Sequence, residues 1–346
     1  MVRIQSLDME NQDTSLQQNI GFERASLVPL IALGVEILFQ ICVMAIPASD
    51  AVRTWIVIVG NQLVFFFTAF IFLRKQKISF SAVTGIKKAP KPQLVPLYAL
   101  IAVLCVAAFA PLAGLLSSGL KALGYNYTPQ YYVPLNDVGL FVLALLALSV
   151  LPAIGEEVML RGVLLSGTKG KSPVFGIFFT AAIFALFHGN LAQVVHQFML
   201  GAIMAYLVLL TGSIYASAIV HFFNNLIALL IEYLFVNGKL SSGVYSYFTG
   251  NAEGLSVGVL VGMLFLSWTL LFFVGTAITF LVWRERHSDG SLVPEEKSLK
   301  ALLSPCAEEV APESDEYHRT ARFIPAFLVG FLVLLLITNV LSEVVK

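Results

Sequence analysis

The sequence predicts an all-α fold, a polytopic transmembrane helical bundle of eight to nine spans. Two features of composition and one of patterning predict it. Of the 346 residues, 58% are hydrophobic and only 12% charged, about half the charged share of a soluble domain. Mean hydropathy is +0.85. The apolar residues fall into runs of roughly 20, the length a helix needs to cross a bilayer.

Nine runs meet or approach that length: 27–46, 55–73, 94–118, 138–166, 173–188, 191–210, 214–235, 257–283 and 323–342. The first follows a polar segment of mixed charge, residues 1–26, with no cleavable signal pattern, and reads as an uncleaved anchor. It carries Glu36 in mid-span, an acid that could line the cavity but is expected to bond a neighbouring helix. The fourth is the least regular, because it holds Pro152, Glu156, Glu157 and Arg161. The fifth is short and stops at His188-Gly189-Asn190, a tight turn or an unwound stretch. His196 in the sixth forms a polar stripe with Gln193 and Gln197, the pattern of helix packing or water contact. Cys42 and Cys105 lie in apolar runs and read as packing residues. With Cys306 they show no CxxC spacing, so no disulfide framework or zinc ribbon is implied. No internal repeat and no glycine-rich phosphate loop appears.

Lys and Arg in the loops set the orientation. Seventeen fall on the side of the N-terminus and four (Arg53, Lys121, Lys239 and Lys346) on the other. The N-terminus is therefore expected in the cytosol. The organisation read from this is a cytosolic segment 1–26, N-terminal transmembrane helices over 27–137, and a core over 138–235. An outer loop and additional helix (236–283), a flexible cytosolic segment (284–322) rich in Glu, Ser and Pro, and a last transmembrane helix (323–346) follow.

Charges in a bilayer are expensive and are presumed functional. In GEEVMLRG, from Gly155, Glu157 and Arg161 are four apart and share a helical face. Such a pair holds two charges in a low dielectric. Glu156 is rotated about 100° away and lacks that partner. The bland alternative is a snorkelling cluster at the interface. His188 ends an apolar run, and taken alone would simply bond a carbonyl. In HFFNN, His221 and Asn225 share a face, whereas Asn224 is displaced from it. At about 1.5 Å per residue, Glu156, His188 and His221 lie roughly 15, 22 and 10 Å from the cytosolic ends of their helices. Those depths fit one site buried between core helices. A carboxylate and an imidazole can deprotonate water, and a second His with an Asn can stabilise an oxyanion. The set Glu156, His188 and His221 equally suits zinc, although HExxH is absent.

Together these motifs resemble a known family. GEEVMLRG matches EExxxR, FALFH matches FxxxH, and HFFNN matches HxxxN, in separate hydrophobic helices. The intervals are 32 residues from Glu156 to His188 and 33 from His188 to His221. In this order they are similar to the CAAX protease and bacteriocin-processing (Abi) family of intramembrane proteases, over roughly residues 138–235. The resemblance implies an intramembrane endopeptidase of the CAAX prenyl protease type. Glu156 would be the general base with His188, His221 and Asn225 would stabilise the oxyanion, and Glu157 and Arg161 would support the site. The preferred mechanism requires no cofactor. Zinc is the alternative, with Glu156, His188 and His221 as its candidate ligands, since the family is described both as metalloproteases and as glutamate-dependent. The expected partners are the lipid bilayer and a membrane-associated protein or peptide substrate, lipidated or not, with no nucleic acid. The expected location is a bacterial cell membrane. Two other classes compete: a non-catalytic membrane scaffold or bacteriocin self-immunity protein on the same fold, and a transporter. Retention of every motif residue argues against the first. The lack of paired interrupted segments argues against the second.

Overall fold

The structure, a computed structural model, describes residues 20–125, 133–249 and 257–287. Among the described residues there is no strand. Among the described residues, seven helices are long and apolar enough to cross a membrane, so the chain is an all-α polytopic bundle.

The hairpin at the start comprises α1 (Phe22–Met44) and α2 (Asp50–Lys75). Ser49 caps α2 by accepting from the Val52 amide at 3.4 Å. Asp50 in its first turn and Arg74 and Lys75 in its last complement the helix dipole. A short helix, α3 (Phe80–Thr84), precedes α4 (Val95–Ala122). The fourth span, α5, runs Val138–Gly167. It is not a uniform α-helix, because two π turns, Leu146–Val150 and Val158–Leu164, interrupt it. Such turns reorient side chains within an otherwise continuous helix and concentrate at functional sites. The remaining elements are α6 (Pro173–Phe187), α7 (Val194–Thr211), α8 (Ile214–Val236), α9 (Ser242–Thr249) and α10 (Val257–His287).

Around α8 are packed α4, α5, α7 and α9, while α1 and α2 pack on each other and both on α5, α6 pairs with α7, and α10 runs along α4. The main core joins Phe109 of α4, Met159 and Leu164 of α5, Phe184 of α6, Met204 of α7 and Val220 of α8. Large apolar side chains such as Leu38, Phe265 and Phe272 point outward. That is the surface a lipid-embedded bundle presents.

Several boundaries differ from the hydropathy reading. The helix of the second span begins five residues earlier and ends two later than the apolar run, because charged residues leave the hydrocarbon without breaking the hydrogen-bond ladder. The same cause carries α10 on to His287. The fifth span has 15 residues, about 22 Å of helix, short of a bilayer core of about 30 Å. The outer loop contains the helix α9. Cys105 is buried as expected, but Cys42 is exposed, because it sits on the outward face of α1. The ninth span, the segment 288–322 and Cys306 lie outside the described residues.

Candidate active site

At the centre of the bundle, α5 carries the two glutamates. Glu157 and Arg161 form the pair their spacing predicts. Arg161 Nη1 donates to Glu157 Oε1 at 2.8 Å, and both side chains are wholly buried. The π turn Val158–Leu164, in which Arg161 lies, does not prevent the contact. Arg161 Nη2 donates to the Gly201 carbonyl at 3.1 Å, and its guanidinium lies over the Phe184 ring at 4.7 Å. The cation is thus tied to α5, α6 and α7 together. Gly201 allows the approach. A Cβ there would lie 3.1 Å from the Ala181 Cα.

The same Glu157 oxygen also meets His221 Nδ1 at 2.8 Å. A carboxylate paired with Arg161 is ionised and can only accept, so Nδ1 carries the proton. Buried His221 is thereby oriented with Nε2 turned toward Glu156 Oε2, 3.9 Å away. Glu157 therefore has a second role that spacing did not reveal, as the orienting partner of an imidazole on another helix.

Glu156 differs from its neighbour. Its side chain keeps 14% exposure where Glu157 has none. Its partner is Gln62 of α2, whose Nε2 donates to Glu156 Oε1 at 3.0 Å. Gly155 makes this approach feasible. A Cβ at Gly155 would lie 2.6 Å from the Gln62 carbonyl oxygen. Gln62 belongs to none of the sequence motifs. Its only signal was an Asn-Gln pair inside an apolar run. Asn61, beside it, donates to Glu36 of α1 at 2.6 Å, and Gln40 donates to the same oxygen at 3.2 Å. Glu36 thus has the neighbouring-helix bond expected of it.

His188 caps the C-terminal end of α6. Its Nδ1 lies 2.9 Å from the Phe184 carbonyl. A carbonyl cannot donate, so Nδ1 carries the proton and Nε2 is left as an acceptor in the neutral ring. The ring meets Phe184 edge-on at 4.9 Å, as His221 does at 5.6 Å. Phe184 therefore touches both imidazoles and carries the Arg161 cation as well. Glu156, His221 and Arg161 all lie within electrostatic range of His188. The break after it is a tight turn: Gly189 has φ 59°, and Asn190 Oδ1 accepts from the Ala192 amide at 2.9 Å.

Asn225 shares a helical face with His221 but takes different partners. Its Nδ2 donates to the Leu148 carbonyl in the first π turn at 3.0 Å. Its Oδ1 accepts from Asn224 Nδ2 at 3.1 Å, and Asn224 Oδ1 meets His196 Nε2 at 3.4 Å. Asn224, read from the sequence as displaced, fixes the orientation of the Asn225 amide. His196 packs edge-on against Phe109 at 5.7 Å.

The structure therefore gathers Glu156, Glu157, Arg161, His188 and His221 at one place, with Asn225 on the same helix as His221. Among the described residues, no group of three or more His, Cys, Asp and Glu is arranged to hold a metal ion.

Comparison with known proteins supports the motif reading. Residues 138–227 match the model of a family described as type II CAAX prenyl endopeptidase Rce1-like. That segment spans α5 to the middle of α8 and includes all six proposed site residues. No curated protein and no solved structure matches the chain.

Proposed function

We propose that the chain is an intramembrane endopeptidase of the CAAX prenyl protease type, hydrolysing a peptide bond of a membrane-associated protein or peptide with water activated by Glu156 and His188. The observation that carries this reading is the unequal state of the two adjacent glutamates. One is sealed between Arg161 and His221. The other is partly open and faces Nε2 of an oriented imidazole. The family match over the same segment supports the reaction class.

In this mechanism the Glu156 carboxylate accepts a proton from water, and the water oxygen forms a bond to the scissile carbonyl carbon. His188, whose Nδ1 is held by the Phe184 carbonyl, offers Nε2 as a second acceptor to orient that water. The carbonyl becomes an oxyanion. His221 already gives its Nδ1 proton to Glu157, so it can donate from Nε2 only as an imidazolium. The Glu157 carboxylate opposite is the group that stabilises that cation. Asn225 uses one amide N–H on the Leu148 carbonyl and has a second N–H for the oxyanion. Collapse then breaks the C–N bond, and Glu156 returns its proton to the leaving amine. Arg161 fixes Glu157 and thereby His221. No step requires a metal ion.

The test is cleavage of a prenylated CAAX peptide by the full chain in proteoliposomes, with release of the C-terminal tripeptide followed by mass spectrometry. Cleavage abolished in folded His188→Ala supports the assignment. Cleavage unchanged in that variant contradicts it.

A further inference from the structure

The segment that carries the family motifs does not hold Glu156 unaided. The only hydrogen bond to its carboxylate among the described contacts comes from Gln62, on a helix outside residues 138–227. Three features show that this contact is built into the fold. First, Gly155 lets the α2 backbone approach so closely that any side chain there would collide with the Gln62 carbonyl. Second, Asn61, the preceding residue, is fastened to Glu36 at 2.6 Å, which locks this turn of α2 against α1. Third, the contact engages Oε1 of Glu156 and leaves Oε2 facing His221. The two oxygens thus have different surroundings.

We propose that Gln62 is a positioning residue for the Glu156 carboxylate, held in register by the Asn61–Glu36 hydrogen bond. The inference rests on the hydrolytic reading above. A carboxylate with one oxygen pinned cannot rotate its other oxygen away from the attacking water. The loss of alignment should therefore appear in turnover and not in substrate binding. Gln62 from α2 and His221 from α8 approach Glu156 directly, and Glu36 from α1, His188 after α6 and Arg161 on its own helix lie within electrostatic range of it. Among these, Gln62 is the one whose reach to a defined oxygen is a hydrogen bond.

The experiment uses the full chain in proteoliposomes with a prenylated CAAX peptide. Gln62→Met keeps the side-chain length and removes the donor. It should lower kcat about tenfold or more, as expected when a reacting group loses alignment, with KM within about twofold and an unchanged melting temperature. Two variants probe the support. Glu36→Gln keeps an acceptor for Asn61 and should retain kcat within about threefold, whereas Glu36→Leu should fall as Gln62→Met does. If Gln62→Met cleaves like the wild type, or loses activity only through KM, the positioning role is wrong. A Glu36→Gln variant as impaired as Glu36→Leu overturns the supporting hydrogen bond. A folded wild-type chain that leaves the peptide intact is a distinct result: it overturns the hydrolytic reading, and the inference with it.

Discussion

Replacing Arg161 by methionine removes a cation from a site where both partners of the ion pair are wholly buried. The guanidinium does three things there. It donates to Glu157 at 2.8 Å and to the Gly201 carbonyl at 3.1 Å, and it lies over Phe184 at 4.7 Å. Breaking a buried pair by deleting one member costs about 3–5 kcal/mol, because the remaining charge is left without compensation. The unpaired Gly201 carbonyl adds about 1–3 kcal/mol, and methionine of similar length recovers part of the packing. Arg161→Met should therefore destabilise the protein by about 3–5 kcal/mol. The informative comparison is the double variant Glu157→Gln, Arg161→Met. It removes both charges and leaves an acceptor for His221, so it should be more stable than Arg161→Met alone. Reversible unfolding in mixed micelles by an added denaturing detergent measures Arg161→Met, Glu157→Gln and the double variant. Additive losses, or a single-variant loss below about 1 kcal/mol, would refute the view that Glu157 depends on Arg161 for its charge.

Three further outcomes follow from the same geometry. Gly155→Ala should cost about 1–3 kcal/mol by overpacking, since its new Cβ would lie 2.6 Å from the Gln62 carbonyl oxygen; an unchanged melting temperature would show that α2 yields freely. Topology reporters should place Lys87 in the cytosol and Lys239 outside, as the distribution of Lys and Arg requires, and the reverse assignment would invert the proposed orientation. Exhaustive chelation should leave peptide cleavage unchanged, whereas loss of activity restored by added zinc would favour a metal route through Glu156, His188 and His221.

What the sequence revealed and what it concealed divide along physical lines. Span positions were legible because the hydrocarbon core selects by composition. The Glu157–Arg161 pair was legible because four residues leave only about 40° of mismatch on an α-helix, and the contact survives the π turn in which Arg161 lies. The π turns themselves left no trace, since a run such as Leu146–Val150 is as apolar as its α-helical neighbours. The contacts of Gln62 with Glu156 and of His221 with Glu157 join residues 94 and 64 positions apart. No local periodicity reports such distances. Asn225 illustrates a further limit. Its face was predictable, but the partner of its amide depends on a carbonyl in the first π turn of another helix.

The central claim is that Glu156, and not its sealed neighbour, takes the proton from the attacking water. Its most direct test compares wild-type chain with Glu156→Gln in proteoliposomes, reading release of the C-terminal tripeptide from a prenylated CAAX peptide. Glutamine preserves size and can still accept from Gln62, so the variant should fold with an unchanged melting temperature. It should lose about 10²–10⁴-fold in kcat, the usual contribution of a general base. A folded Glu156→Gln protein that cleaves the peptide at the wild-type rate would contradict the account.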